Sequence, residues 1–119
     1  MTQSRDTAYS LKITLDGIKP RIWRLFCVPG DITLDRLHDV IQIVMGWQES
    51  HLHCFQIDGQ RYTETPEDPA EDGLEEGGFE LCDLVTRAKM KFKYEYDFGD
   101  DWHHTLVVDR ITSVPEGHR

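Results

Sequence analysis

The chain lacks most of the devices that would announce a function. No apolar run approaches the length of a membrane span, and Met1 to Asp6 carries no signal-peptide core, so the expected location is the cytoplasm. Cysteine is scarce: Cys27, Cys54 and Cys82 are odd in number, far apart and without a Cys-x-x-Cys pair. That excludes a disulfide frame or a zinc knuckle and fits small apolar residues in a reducing compartment. Basic residues are few, 13 against 22 acids, for a formal charge of −9. Such a field repels phosphates, which disfavours nucleic acid as a partner. There is no Walker loop, no Gly-x-Ser-x-Gly elbow and no His-Glu-x-x-His run. Asp97-Phe98-Gly99 matches a kinase triplet only by accident, since the chain has no Gly-rich phosphate loop and is far too short.

What is present is patterned. The 119 residues suffice for one domain with one core, with polar tails at 1–7 and 113–119. From Ala8 to Asp16, Tyr9, Leu11, Ile13 and Leu15 alternate with polar residues, which predicts a first strand. Arg21 to Val28 predicts a second; being apolar on both faces apart from Arg24, it is expected to lie more centrally than the first. Thr33 can cap a helix whose Leu34, Leu37, Ile41 and Val44 recur at helical spacing, with Gly46 as its left-handed stop. His38, beside that apolar stripe, is expected to be satisfied by a backbone carbonyl. His51 to Ile57 is a third strand, and Asp58-Gly59 turns it into Gln60–Thr63. Residues 63–78 hold seven acids, two prolines and three glycines with no apolar period, which predicts a solvated acidic loop. Cys82 to Arg87 suggests a short helix. The order is β-β-α-β-β, short α, β-β: an α+β fold, a mixed sheet with one main helix on a face, β-grasp-like in its first half.

The last two strands form the most distinctive stretch. Met90, Phe92, Tyr94, Tyr96 and Phe98 fall on one side, and Lys89, Lys91, Lys93, Glu95 and Asp97 on the other. A three-residue connection, Gly99-Asp100-Asp101, would set Phe98 against Trp102, Tyr96 against His104, Asp97 against His103 and Lys91 against Asp109. Polar groups crowd this tip. With Trp47 nearby, Asp97, Asp100, Asp101, Trp102 and His103 are the candidate binding residues. Imidazole and carboxylate together can also hold zinc or manganese, so His51, His53, Asp97, Asp100 and His104 form a candidate metal set, should strand pairing bring them together. The basic stripe Arg87, Lys89, Lys91, Lys93 faces away from the aromatics, which separates stacking from phosphate contacts.

Several strings in this order resemble the plasmid pRiA4b ORF-3-like family: Ile22-Trp-Arg24, Val28-Pro29, Leu37-His38, Ile41-Gln42, Gly46-Trp47, His51-Leu-His53, and Tyr94-x-Tyr-Asp-Phe-Gly-Asp100 with Trp102 and His104. The resemblance covers about residues 8 to 112. It implies an α+β fold and no established reaction, and it carries over no catalytic residue. Longer members of the family continue past the final strand, where this chain stops. Two functions stand as expectations. One is a cytoplasmic binding or interaction domain of plasmid or mobile-element ancestry, with a protein or small-ligand partner and no cofactor. The other is a metal-dependent hydrolase or nuclease at the 97–104 tip.

Overall fold

Alternation builds the sheet and helical spacing builds its cover. The computed structural model of the chain describes residues 7–47, 53–64, 66, 73–96 and 102–113. Its elements are β1 (Thr7–Leu15), β2 (Trp23–Pro29), α1 (Leu34–Met45), β3 (His53–Ile57), β4 (Gln60–Thr63) and β5 (Leu74–Glu75). A 3₁₀ turn (Glu76–Gly78), the short α2 (Leu81–Leu84), β6 (Lys91–Tyr96) and β7 (Trp102–Ser113) complete them. The strands form one sheet in the order β2-β1-β7-β6-β3-β4-β5. Every neighbouring pair is antiparallel except β4–β5. This is the α+β architecture with one main helix. The first five elements keep the β-β-α-β-β order, but β1 pairs with β7 rather than with β3.

The apolar face of each strand turns towards α1. Tyr9, Leu11 and Ile13 of β1, Phe55 of β3, Phe92 and Tyr94 of β6, and Leu106 and Val108 of β7 join Leu34, Leu37 and Ile41 in one buried cluster. The helix ends as its sequence demands: Gly46 takes φ 77°, and the Trp47 N–H donates to the Gln42 carbonyl, so the chain leaves the helix with Trp47 fixed. Thr33 occupies the N-cap position without a side-chain capping bond. At the β3–β4 turn both Asp58 and Gly59 have positive φ, the type I′ geometry that matches strand twist. Among the described residues, no helix is long and apolar enough to cross a membrane.

Three expectations need correction. β2 is an edge strand, not a central one: only β1 pairs with it, and Trp23 and Leu25 stay 48% and 56% exposed. The acidic segment is not solvated throughout. Leu74–Glu75 pairs with β4, and the Glu76 that follows is buried, because its carboxylate has a partner on β3. The β6–β7 register is two residues off: Tyr96 faces Trp102, Tyr94 faces His104 and Lys91 faces Val107. The parity argument placed the aromatic face correctly, because a shift of two preserves which side each residue faces. The observed register leaves Lys91 opposite Val107 rather than Asp109, and Glu95 opposite His103. The pairing foreseen for Asp97 lies outside the described residues.

Leu37 is fully buried between the helix and the sheet. Leu37→Ala should lower unfolding stability in urea by about 2–5 kcal/mol. A loss below about 1 kcal/mol would mean that α1 does not pack as described.

Candidate functional site

The inner face of the helix is not wholly apolar. One helical turn apart, α1 places His38 and Gln42 beside its apolar stripe, and both are buried against β6. There they meet Tyr94. Gln42 Nε2–H donates to the Tyr94 hydroxyl at 2.9 Å, and the hydroxyl donates in turn to His38 Nδ1 at 2.7 Å. That arrangement leaves the His38 proton on Nε2. Burial, and then the neighbouring His53, lower the His38 pKa from 6.5 to about 4, so its ring is neutral at pH 7. Burial likewise pushes the Tyr94 phenol far above its usual range. The His38 partner is thus a side-chain hydroxyl, not the backbone carbonyl expected from the sequence.

His53, the first residue of β3, stacks face to face on His38 with ring centroids 3.5 Å apart and planes 5° from parallel. Its Nε2 lies 2.7 and 2.9 Å from the two Glu76 oxygens. A carboxylate can only accept, so the proton on this contact belongs to His53. Strand β5 runs beside β4 and delivers Glu76 to this position, 2% exposed. A second node is His104 on β7, fully buried and facing Tyr94 across the β6–β7 ladder. Its Nδ1–H donates to the Tyr94 carbonyl and its Nε2 accepts from the Trp47 indole N–H, both at 3.2 Å. Burial lowers its pKa, and the two bonds fit the neutral ring. Trp47, held by this bond, packs nearly parallel to Tyr96 (centroids 6.0 Å apart, planes 11°) and lies 5.7 Å from Trp102. Trp47 and Trp102 remain half-buried.

The sequence-derived candidates are therefore divided. Trp47, His53, Trp102 and His104 gather on the helix side of the sheet. His103 lies on the opposite face, where it lines a pocket of about 270 Å³ with Asp16, Gln56, Lys93 and Glu95. His51, Asp97, Asp100 and Asp101 lie outside the described residues. His53 pairs directly with Tyr96, so the register sets the start of β3 beside the end of β6. Of the candidate metal set only His53 and His104 are among the described residues, and both are engaged in hydrogen bonds. Both His104 ring nitrogens are in hydrogen bonds, and the stacked His38 and His53 rings direct their lone pairs along near-parallel planes instead of towards one ion at ~2.0–2.1 Å. Among the described residues, no three His, Cys, Asp or Glu side chains converge as metal ligands. Sequence reasoning missed Gln42, Glu76 and Tyr94 as site members. Gln42 had a signal, since it stands four residues from His38 on the same helix face. Glu76 had none, being one acid among seven in a segment without period.

These features define a class: an α+β sheet protein with one main helix and a buried His–Tyr–Gln and His–Glu network behind an aromatic cluster. The chain matches the description "Plasmid pRiA4b ORF-3-like protein" over residues 7–119, and it belongs to that family. It is 38% identical over 101 residues to the uncharacterized protein y4hQ of Sinorhizobium fredii, covering 84% of this chain and 52% of y4hQ. It also superposes on the crystal structure of MM3350, a protein of unknown function from Methanosarcina mazei Go1, with a TM-score of 0.80 and 30% identity, over 98% of this chain and 66% of that one. The chain spans about half the length of the curated relative it matches. His38, Gln42, Trp47, His53, Tyr94, Trp102 and His104 all lie in the strings that carried the resemblance, and the fold brings them together.

A neutral buried His38 makes stability depend on pH with a definite sign. Between its folded pKa of about 4 and the unfolded value of 6.5, the unfolded chain binds the proton and the folded chain does not. Stability is then fully present above pH 6.5 and is lost as pH falls towards 4, by up to about 3 kcal/mol from this residue. His104, lowered for the same reason, acts with the same sign. The stability advantage of the wild-type chain over His38→Asn should therefore shrink from pH 7 to pH 4 in denaturant titrations. A pH-independent difference would contradict a neutral, buried His38.

Proposed function

We propose that the chain is a cytoplasmic binding module of mobile-element ancestry, with Trp47 and Trp102, beside the buried Tyr96, as its recognition surface. The observation that carries this reading is the division of labour between buried and half-buried groups. Every imidazole described on the helix side is engaged with a neighbouring side chain or carbonyl. The two indoles, by contrast, retain accessible surface beside the hairpin end. Aromatic rings held rigidly offer large contact area at small entropic cost, which is what a binding surface needs. The expected partner is a protein or small ligand with an apolar or aromatic group. The plasmid-derived family name supports the ancestry, and three free cysteines, two of them buried, suit a reducing compartment.

The test uses untagged protein. Affinity capture with the wild-type chain, followed by calorimetry with the purified partner, should show binding that Trp47→Ala/Trp102→Ala weakens at least about tenfold. Both proteins should keep the same far-ultraviolet circular dichroism. Elemental analysis should find zinc and manganese well below one ion per chain. One bound ion per chain, lost on His51→Ala and accompanied by hydrolysis of phosphodiester or ester substrates, would replace this reading with the metal-dependent hydrolase.

A further inference from the structure

The edge of the sheet opposite β5 carries an apolar and basic strand that no other described strand covers. Edge strands are normally blunted, and β5, only two residues long, is blunted by its length. β2 is seven residues long. The ladder with β1 fixes which of its groups are free. The Leu15 N–H donates to the Ile22 carbonyl, so the alternation of an antiparallel pair turns Ile22, Arg24, Phe26 and Val28 towards β1. The backbone groups of Trp23, Leu25 and Cys27 then point away from the sheet. Of these, the Trp23 carbonyl accepts a side-chain hydrogen bond from Arg24 Nη1 at 2.8 Å. The side chains of Trp23 and Leu25 lie on the sheet face opposite α1, 48% and 56% exposed, with Ile22 37% exposed beside them. This accounts for the mismatch noted above: a strand with a central strand's composition stands at an edge.

The charge around it is equally out of place. In a chain of net charge −9, Lys12, Lys19, Arg21 and Arg24 gather at this edge. Lys12 sits 4.8 Å over the Trp23 ring, and Lys19 and Arg21 are exposed in the turn that leads into the strand. Two acids of the same neighbourhood are already engaged, Asp16 by Lys93 and Thr105 and Asp109 by Ser10 and Arg110, so within a screening length of about 8–10 Å the four cations set the local sign. We propose that β2 is a docking edge for an extended acidic peptide of a partner protein, which adds an eighth strand to the sheet. Its backbone pairs with Leu25 and Cys27, alternate apolar side chains lie against Trp23 and Leu25, and carboxylates meet Arg24, Arg21 and Lys19. A second copy of this chain fits less well, since two β2 strands side by side would bring the same cations together on two bodies that each carry −9. Single-stranded nucleic acid fits less well too, since it cannot use a peptide ladder and meets the repulsion of the whole chain.

This surface is separate from the Trp47–Trp102 cluster, and its test does not depend on the partner of that cluster. The probe is a fluorescein-labelled peptide, Glu-Ile-Glu-Val-Glu-Ile-Glu, acetylated and amidated at its ends, titrated by anisotropy and by amide NMR. Saturable binding should shift the amides of Trp23, Leu25 and Cys27 and leave Trp102 unmoved. Arg21→Glu/Arg24→Glu should weaken it at least about tenfold, and so should N-methylation of alternate peptide amides. Leu25→Pro should do the same, because it removes an N–H that the fold does not use, with the melting temperature as its control. If Leu25→Pro unfolds, the charge-reversal and N-methyl arms decide. The proposal is overturned by no saturable binding, by equal affinity of the N-methylated peptide, by tighter binding of oligothymidylate at the same amides, or by a dimer that buries β2 in sedimentation.

Discussion

The Tyr94 hydroxyl is the point on which the arrangement depends. It is a polar atom in the middle of a helix–sheet interface, and it is tolerable there because α1 supplies one donor and one acceptor for it. A buried hydroxyl without partners would cost about 1–3 kcal/mol. With both bonds made, it fixes the axial position and rotation of α1 on the sheet more sharply than Leu37 and Ile41 alone could do, since apolar contacts have no direction. From Tyr94 the constraint spreads both ways. His38 carries it by stacking to His53 and so to Glu76, which anchors the end of the acidic segment. The Tyr94 carbonyl carries it to His104 and then to Trp47. Helix, three strands (β3, β6 and β7) and the end of the acidic segment are thus tied by one chain of hydrogen bonds and ring contacts.

That chain explains why the half-buried aromatics are ordered. Trp47 follows a helix stop at Gly46 and would be free to turn into solvent, but the His104 bond and the face of Tyr96 hold it in place. The resulting surface is backed by a hydrogen-bonded network in which, among the described residues, Gln42 Oε1 is the buried side-chain atom left without a partner. The same arrangement leaves few lone pairs for metal chemistry. It also makes the core acid-sensitive, because protonating His38 would place a charge beside a stacked imidazole at a buried position.

Much of this was legible in the residues, and the failures are physically instructive. Period-two alternation located β1, β6 and β7, and helical spacing with Thr33 and Gly46 located α1, because those patterns are local. Facing was legible too, since parity survives a shift of two. Register was not: parity allows every shift of two equally, and which one is adopted depends on packing along the two whole strands. Strand order was not either, since apolar residues on both faces of β2 have the same pattern whether another strand or a partner covers them. Glu76 was least legible. Its burial depends on a parallel pairing of two residues, Leu74 and Glu75, with β4, and on a histidine twenty-three positions earlier. The site was visible only in part, as the residues of familiar strings whose convergence the fold alone displays.

The central claim is that neutral, tautomer-locked imidazoles connect the helix to the sheet. Nitrogen-15 NMR of the histidine rings at pH 7 tests it most directly. His104 should be neutral with its proton on Nδ1, and His38 neutral with its proton on Nε2, each coupled to the partner described. An imidazolium at either position, or the opposite tautomers in rapid exchange, would contradict the network and with it the ordering of the aromatic surface.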